Sequence, residues 1–265
     1  MSKTDHIALI TGASSGIGAS LARCFAKSGH RLVLVARSAD KLRELADELG
    51  TTHGVKVWVQ PADLAQPGAA RSLAAALRRR KVQVDVLVNN AGVLEQGAFT
   101  GMNAGAHEQM IALNVMGLTA MLAAFVPPMQ ARGFGRVLNV ASIAAFQPVP
   151  TLATYAATKA YVLSLTESLA EELKGSGVTV TALCPGVTAT AMLTNAAEAN
   201  AQLGKLPGFL IGDVDAVAAA GYRACMRGRV IEVPGVVNLA TTLASRSTPK
   251  WLLRRVTGTV TRRAL

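Results

Sequence analysis

Short runs of Val, Ile and Leu recur along this chain between longer alanine- and leucine-rich stretches with helical spacing. Residues 6–10, 31–36, 55–60, 84–88, 135–140, 178–183 and 230–233 read as strands, each nearly continuous in apolar character. A strand that is apolar on both faces belongs in a parallel sheet covered by helices, whereas a sheet with one wet face would alternate. Residues 17–27, 41–49, 69–80, 106–129 and 152–173 read as those helices. Strand–helix–strand units close with right-handed crossovers. The pattern therefore predicts an α/β fold, one doubly wound seven-stranded parallel sheet with helices on both faces. A chain of 265 residues is accounted for by one such domain. Residues 1–235 are expected to form it, followed by a basic C-terminal extension over 236–265.

Composition excludes several alternatives. With 51% apolar and 16% charged residues, and with 24 Gly and 10 Pro scattered along the chain, neither a disordered nor a collagen-like protein is indicated. Cys24, Cys184 and Cys225 share no close spacing, so neither a disulfide framework nor a thiolate metal site is suggested. The apolar run after Lys3 is too short for a secretory signal, and the uncharged stretch 109–131 is broken by Asn114, Gly117, Pro127 and Pro128. That stretch reads as a buried helix, and a cytoplasmic protein is expected.

The 27 basic and 16 acidic residues give a net charge of +11. Six of the bases, Arg246, Lys250, Arg254, Arg255, Arg262 and Arg263, lie in residues 233–265, which hold no acid. Such a tail can attract phosphates or an anionic membrane, and Trp251-Leu252-Leu253 beside Arg254-Arg255 has the composition of an interfacial helix. The plainer expectation is a solvated, frayed terminus with weak membrane contact at most. No recognition motif or aromatic platform accompanies the bases, so no nucleic acid partner is expected. The run Arg78-Arg79-Arg80-Lys81 reads as a solvated helix end.

Directly after the first strand comes Thr11-Gly12-Ala13-Ser14-Ser15-Gly16-Ile17-Gly18, which opens into a helix. Small residues at a strand-to-helix turn let backbone N–H groups approach a pyrophosphate, and the helix N-terminus adds partial positive charge. Gly12 would make the tight turn, Gly16 the close approach and Gly18 the helix-to-sheet packing, although an ordinary βα loop has similar letters. A Rossmann-type dinucleotide fold is the expectation. The second strand ends at Ala36-Arg37, where an acid would suit ribose hydroxyls. Arg37 instead suits a 2′-phosphate, which favours NADP(H) over NAD unless the residue merely begins the next loop.

Tyr155 and Lys159 stand i, i+4 apart, on one face of a predicted helix. A phenol is a weak acid near neutrality, and a neighbouring ammonium is expected to lower its pKa. Ser142 follows an apolar strand at the rim where open α/β sheets bind ligands. Asn89-Asn90-Ala91-Gly92 ends another strand, and Asn114 sits in an otherwise apolar helix. A buried amide needs a partner, in a site or in a helix-to-helix hydrogen bond.

Together these elements resemble the short-chain dehydrogenase/reductase family over residues 5 to about 235. The resemblance rests on Thr-Gly-x-x-x-Gly-x-Gly at 11–18, Asn-Asn-Ala-Gly at 89–92, Asn114, Ser142, Tyr-x-x-x-Lys at 155–159 and Pro185-Gly186. It implies Tyr155 as general acid/base, Ser142 holding the substrate oxygen, Lys159 on the nicotinamide ribose and Asn114 in a proton relay. It further implies cofactor contacts from Gly12, Ser14, Ser15, Gly16, Ile17, Gly18, Arg37, Asn90, Ala91 and Gly92. Pro61-Ala62-Asp63-Leu64 also matches, with Asp63 and Leu64 beside the adenine, and Pro185, Gly186 and Thr188 would border the nicotinamide.

Segments 93–100, 143–152 and 189–212 would border the reacting centre, and they are mostly apolar with few charged groups. The expected substrate is an apolar ketone or secondary alcohol, and the pattern before Tyr155 resembles the branch near 3-oxoacyl and 17β-hydroxysteroid reductases. Residues 190–212 are expected to form a lid. The helices at 106–129 and 152–173 carry surplus apolar surface, so a homodimer or homotetramer is expected. The competing readings are a non-catalytic NADP-binding sensor or scaffold, an isomerase, and a membrane-peripheral lipid ketone reductase.

Overall fold

The computed structural model describes residues 5–189 and 211–264. Seven parallel strands form one sheet in the order β3-β2-β1-β4-β5-β6-β7. They are β1 (Ile7–Thr11), β2 (Arg31–Ala36), β3 (Val57–Pro61), β4 (Val86–Asn89), β5 (Gly135–Val140), β6 (Val178–Leu183) and the two-residue β7 (Ile231–Glu232). The predicted doubly wound α/β fold is therefore observed, with every strand placed to within two residues.

Alternate residues of a strand point to opposite faces, and each face has its own helical layer. Ala8, Ile10, Leu32, Leu34, Val86 and Val88 pack against α1 (Gly16–Lys27), α2 (Ala39–His53) and α7 (Val214–Arg227). Leu9, Val33, Val35, Leu87, Val137 and Val180 pack against α3 (Ala69–Arg79), α5 (Leu118–Ala131) and α6 (Ala153–Glu172). Burial on both sides explains why the strands read as unbroken apolar runs.

Three features differ from the expectations. The predicted helix 106–129 is instead α4 (Ala104–Ile111) continued through a π-helical turn, Ala112–Gly117, into α5. The wider turn holds Asn114 inward, and it lets Gly117 lie where a Cβ would come within 2.5 Å of the Leu64 carbonyl. This rod is long and apolar enough to cross a membrane, yet Leu118, Met121, Leu122, Phe125, Val126 and Met129 belong to the core. Helix α7 was not anticipated; Asp213 caps it by accepting a hydrogen bond from Ala216 N at 2.7 Å, and Gly228 ends it with φ +68°. The expected frayed tail is helical, forming α8 (Val236–Ser247) and α9 (Lys250–Ala264). The expected lid at 190–212 lies outside the described residues apart from Ile211 and Gly212.

Candidate active site

The sheet order reverses between β1 and β4, the switch point at which open α/β sheets bind ligands. A cavity of about 850 Å³ opens there along the carboxyl ends of the strands. Among the candidate residues, all line it except Gly18 and Asn114, which stand behind its wall.

At the turn after β1, Gly12 (φ +63°) and Gly16 (φ +53°) are left-handed, a conformation that side chains disfavour. Gly18 is required for a different reason, because a Cβ there would lie 2.2 Å from Gly12 O. Ser15 caps α1 without a side-chain hydrogen bond. It leaves the amides of the first turn to face an anion, which the partial positive charge of a helix N-terminus favours. The turn is held from β4: Asn90 Nδ2 donates to Thr11 O (3.0 Å) and Gly12 O (3.1 Å). Thr11 Oγ1 accepts from the amides of Asn90 (2.9 Å) and Ala91 (3.0 Å) and donates to Val88 O (3.2 Å). This bracing role of Thr11 is a function of tertiary contact and has no counterpart in the local sequence.

At one end of the cavity the wall is made by Arg37, Ser38, Lys41, Asp63 and Leu64. Lys41 and Ser38 were missed from sequence; their signal is proximity to Arg37 at the start of α2, where Ser38 is the N-cap. Asp63 is partly committed locally, accepting from Ala65 N at 3.1 Å and Gln66 Nε2 at 3.3 Å.

At the other end, Tyr155 and Lys159 project from the first turns of α6, and Ser142 caps the 3₁₀ turn Ile143–Phe146 by accepting from Ala144 N at 3.1 Å. Burial pushes the Tyr155 phenol up to about 12, against a smaller downward pull from its hydrogen bond with Ser142. Burial likewise pushes Lys159 down to about 8. The net shift of the phenol is upward, where the sequence led us to expect a lowering, because its desolvation outweighs the hydrogen bond from Ser142. The Lys159 ammonium lies 5.6 Å from the Tyr155 ring centroid and donates to Val140 O at 2.9 Å. That bond uses one of its three donors.

Asn114 is hydrogen-bonded to the loop after β4 and to α6. Its Oδ1 accepts from Val93 N and its Nδ2 donates to Val93 O, both at 2.9 Å, with a further bond to Thr158 Oγ1 at 3.1 Å. Thr158 Oγ1 in turn donates to Tyr155 O at 2.7 Å. The buried amide therefore ties the loop after β4 to the Tyr155 turn of α6. At Gly92, a Cβ would meet Asn114 Oδ1 at 3.2 Å and Lys159 Nζ at 3.5 Å. Beyond β6, Thr188 Oγ1 donates to Gly186 O at 3.0 Å and closes the cavity beside Pro185.

The short chain dehydrogenase family profile matches residues 6–201. The oxidoreductase UcpA of Escherichia coli K12 is 40% identical over 200 residues, 74% of each chain. A short-chain dehydrogenase from Sphingobium yanoikuyae, solved in complex with NADPH, superposes with a TM-score of 0.80 at 34% identity, covering 92% of this chain and 96% of that one. The bulky-bulky ketone specific alcohol dehydrogenase of Comamonas testosteroni gives a TM-score of 0.77 at 30% identity, covering 94% and 96%.

Proposed function

Because this chain belongs to the short-chain dehydrogenase family, we propose that it is an NADPH-dependent oxidoreductase interconverting a ketone and a secondary alcohol on an apolar substrate. The observation that carries this reading is the meeting of Tyr155, Ser142 and Lys159 in one cavity with the glycine turn of β1. The residues fit a dinucleotide phosphate. Gly12 and Gly16 clear space for the pyrophosphate at the start of α1, where the Ser15 cap makes no side-chain hydrogen bond, and Arg37, Ser38 and Lys41 offer a cationic, hydroxyl-bearing wall for a 2′-phosphate. Asp63, Leu64, Asn90, Ala91 and Gly92 line the stretch between, and Pro185, Gly186, Thr188 and Lys159 the far end. When bound, NADPH supplies the hydride.

Within this reading, the Tyr155 phenol holds a proton throughout the neutral range and donates it to the carbonyl oxygen during reduction. Ser142 holds that oxygen by hydrogen bonding, and the Lys159 ammonium stabilises the negative charge that develops at the rim. Asn114 is a positioning residue that sets Val93 and Tyr155 through Thr158. Val93, Leu94, Ile143, Val149 and Leu152 give the substrate end an apolar wall, with Gln96 and Gln147 as its polar handles. This supports a hydrophobic carbonyl compound. Residues 1–235 serve as the catalytic unit. Ile111, Met116 (58% exposed) and Tyr161 present an apolar patch along α4, the π turn and α6 that suits pairing of protomers into a dimer or tetramer.

The direct test is a panel of hydrophobic ketones and alcohols followed by NADPH and NADH absorbance in both directions. Turnover of bulky ketones with NADPH is expected, and a panel active only on sugars or only with NADH would reject the assignment. Arg37→Ser with Lys41→Ser is expected to raise the NADPH Kd about 10- to 30-fold, a modest loss because both residues are exposed and solvent-screened. The NADH Kd should change little. Titration by protein fluorescence checks both, and equal losses for the two nucleotides would remove the 2′-phosphate role.

A further inference from the structure

Helix α8 is inside out. Its inward face carries Asn238, half-buried, and Thr242 and Ser245, both buried. Its outward arc carries Val236, Val237, Leu239, Ala240, Leu243 and Ala244, all exposed, with Val236 84% exposed. A surface helix that meets only water has the opposite arrangement. The orientation is fixed by contacts with the body of the protein. The Asn238 amide sits where a Cβ on Gly186 would meet it at 2.5 Å, its Nδ2 donates to Pro234 O at 2.8 Å, and the helix lies on the turn Ile143–Phe146.

Helix α9 follows after two residues and exposes Lys250, Trp251, Leu252, Arg254 and Arg255, the Arg255 guanidinium lying 5.5 Å from the Trp251 ring centroid. Residues 236–265 hold six bases and no acid. That charge sets the occupant. A second copy of the chain would bring like charge against like charge. An anionic bilayer offers phosphates for the bases and, just beneath them, acyl chains for the apolar arc. Trp at the headgroup level and Arg with its apolar stem laid inward are both at home there. We propose that α8 and α9 form a docking surface for an anionic lipid bilayer, with Val236, Leu239 and Leu243 among the acyl chains and Lys250, Arg254 and Arg255 at the phosphates. Because α8 rests on Ile143–Phe146 and Gly186, which contribute to the cavity wall, docking brings the bilayer next to the active site.

The test is co-sedimentation of the full chain with vesicles of equal parts phosphatidylcholine and phosphatidylglycerol, and with phosphatidylcholine alone. Binding to the anionic vesicles only, weakening with added salt, is expected. Leu239→Glu with Leu243→Glu should abolish it. Arg254→Gln with Arg255→Gln should lower the partition coefficient about 30-fold, and as exposed positions these keep the test open if the first pair misfolds. Arg78→Gln with Arg79→Gln, equally basic and exposed at the end of α3, should bind like the parent. No anionic binding by the parent, or an equal loss in the Arg78 and Arg79 variant, overturns the proposal. So does a Leu239 and Leu243 variant that keeps vesicle binding but loses mass in light scattering, which would assign the arc to a second copy. Vesicle binding is read without turnover, so it stands or falls separately from the ketone reductase reading.

Discussion

Tyr155→Phe is expected to lower kcat for ketone reduction by roughly 10²- to 10⁴-fold, the range for loss of a positioned proton donor, while the NADPH Kd should stay near that of the parent. The substitution deletes one oxygen from a buried ring and leaves the ring to pack as before, so the fold should persist, as circular dichroism and the melting temperature would show. The loss should fall on the chemical step because the phenol, pushed up to about 12 by burial, is fully protonated near neutrality. Lys159, pushed down to about 8, keeps its charge below that pH and gives it up above. For reduction both required forms, phenol and ammonium, are present at low pH. The parent kcat/KM should therefore be level from acid to about pH 8 and fall as pH rises further. The oxidation direction needs the phenolate and should gain with rising pH. Near-parental turnover in the Phe variant would withdraw Tyr155 from the chemistry, and a reduction profile that rises above pH 8 would reverse the roles given to the two groups.

The sign of that Tyr155 shift shows what a sequence can and cannot carry. Spacing puts Tyr155 and Lys159 on one helical face, and the structure agrees. Their charges, however, are governed by how deeply α6 sits against β5 and β6, a tertiary quantity that no i, i+4 pattern encodes. The fold was legible for the opposite reason. Parallel strands covered on both sides must be apolar throughout, so burial is written into every strand run. The π turn was not legible, since residues 112–117 are helical by any local criterion. Their widening depends on Asn114 reaching Val93 and on Gly117 meeting Leu64. Helix α7 did leave signals, Asp213 before it and Gly228 after it, and these had the cap chemistry of a helix start and stop. Lys41 and Ser38 became visible only when the start of α2 turned them toward the cavity that Arg37 also faces. The outward apolar arc of α8 could not be read from the letters, because hydrophobic periodicity identifies an apolar face without saying whether the protein or another phase covers it.

Gly18→Ala should cost more than any other single-methyl change near the cofactor cradle. The added Cβ would lie 2.2 Å from Gly12 O, 2.4 Å from Asn90 Nδ2 and 2.8 Å from Gly12 C. Contacts this short force atoms apart, and here two of the three belong to the backbone. Gly12 is held at φ +63° and its carbonyl accepts from Asn90 Nδ2, so it can retreat only by loosening the turn that also shapes the anion site. The start of α1 can retreat only by lifting off the sheet face where Leu21 and Phe25 are buried. Overpacking of this kind costs about 1–3 kcal/mol, and either escape widens the space between the N-terminus of α1 and a bound pyrophosphate. An NADPH Kd raised roughly 100-fold, about 2.7 kcal/mol, together with a lowered melting temperature, is the expected result by calorimetry. Gly50→Ala provides the contrast. It lies in α2, where a Cβ would find only Val55 O at 3.9 Å, an ordinary contact. There the methyl should leave NADPH binding unchanged and raise stability by about 0.5–1 kcal/mol through helix propensity. If Gly18→Ala binds NADPH as the parent does, the close approach of α1 to the β1 turn is not what builds the phosphate site.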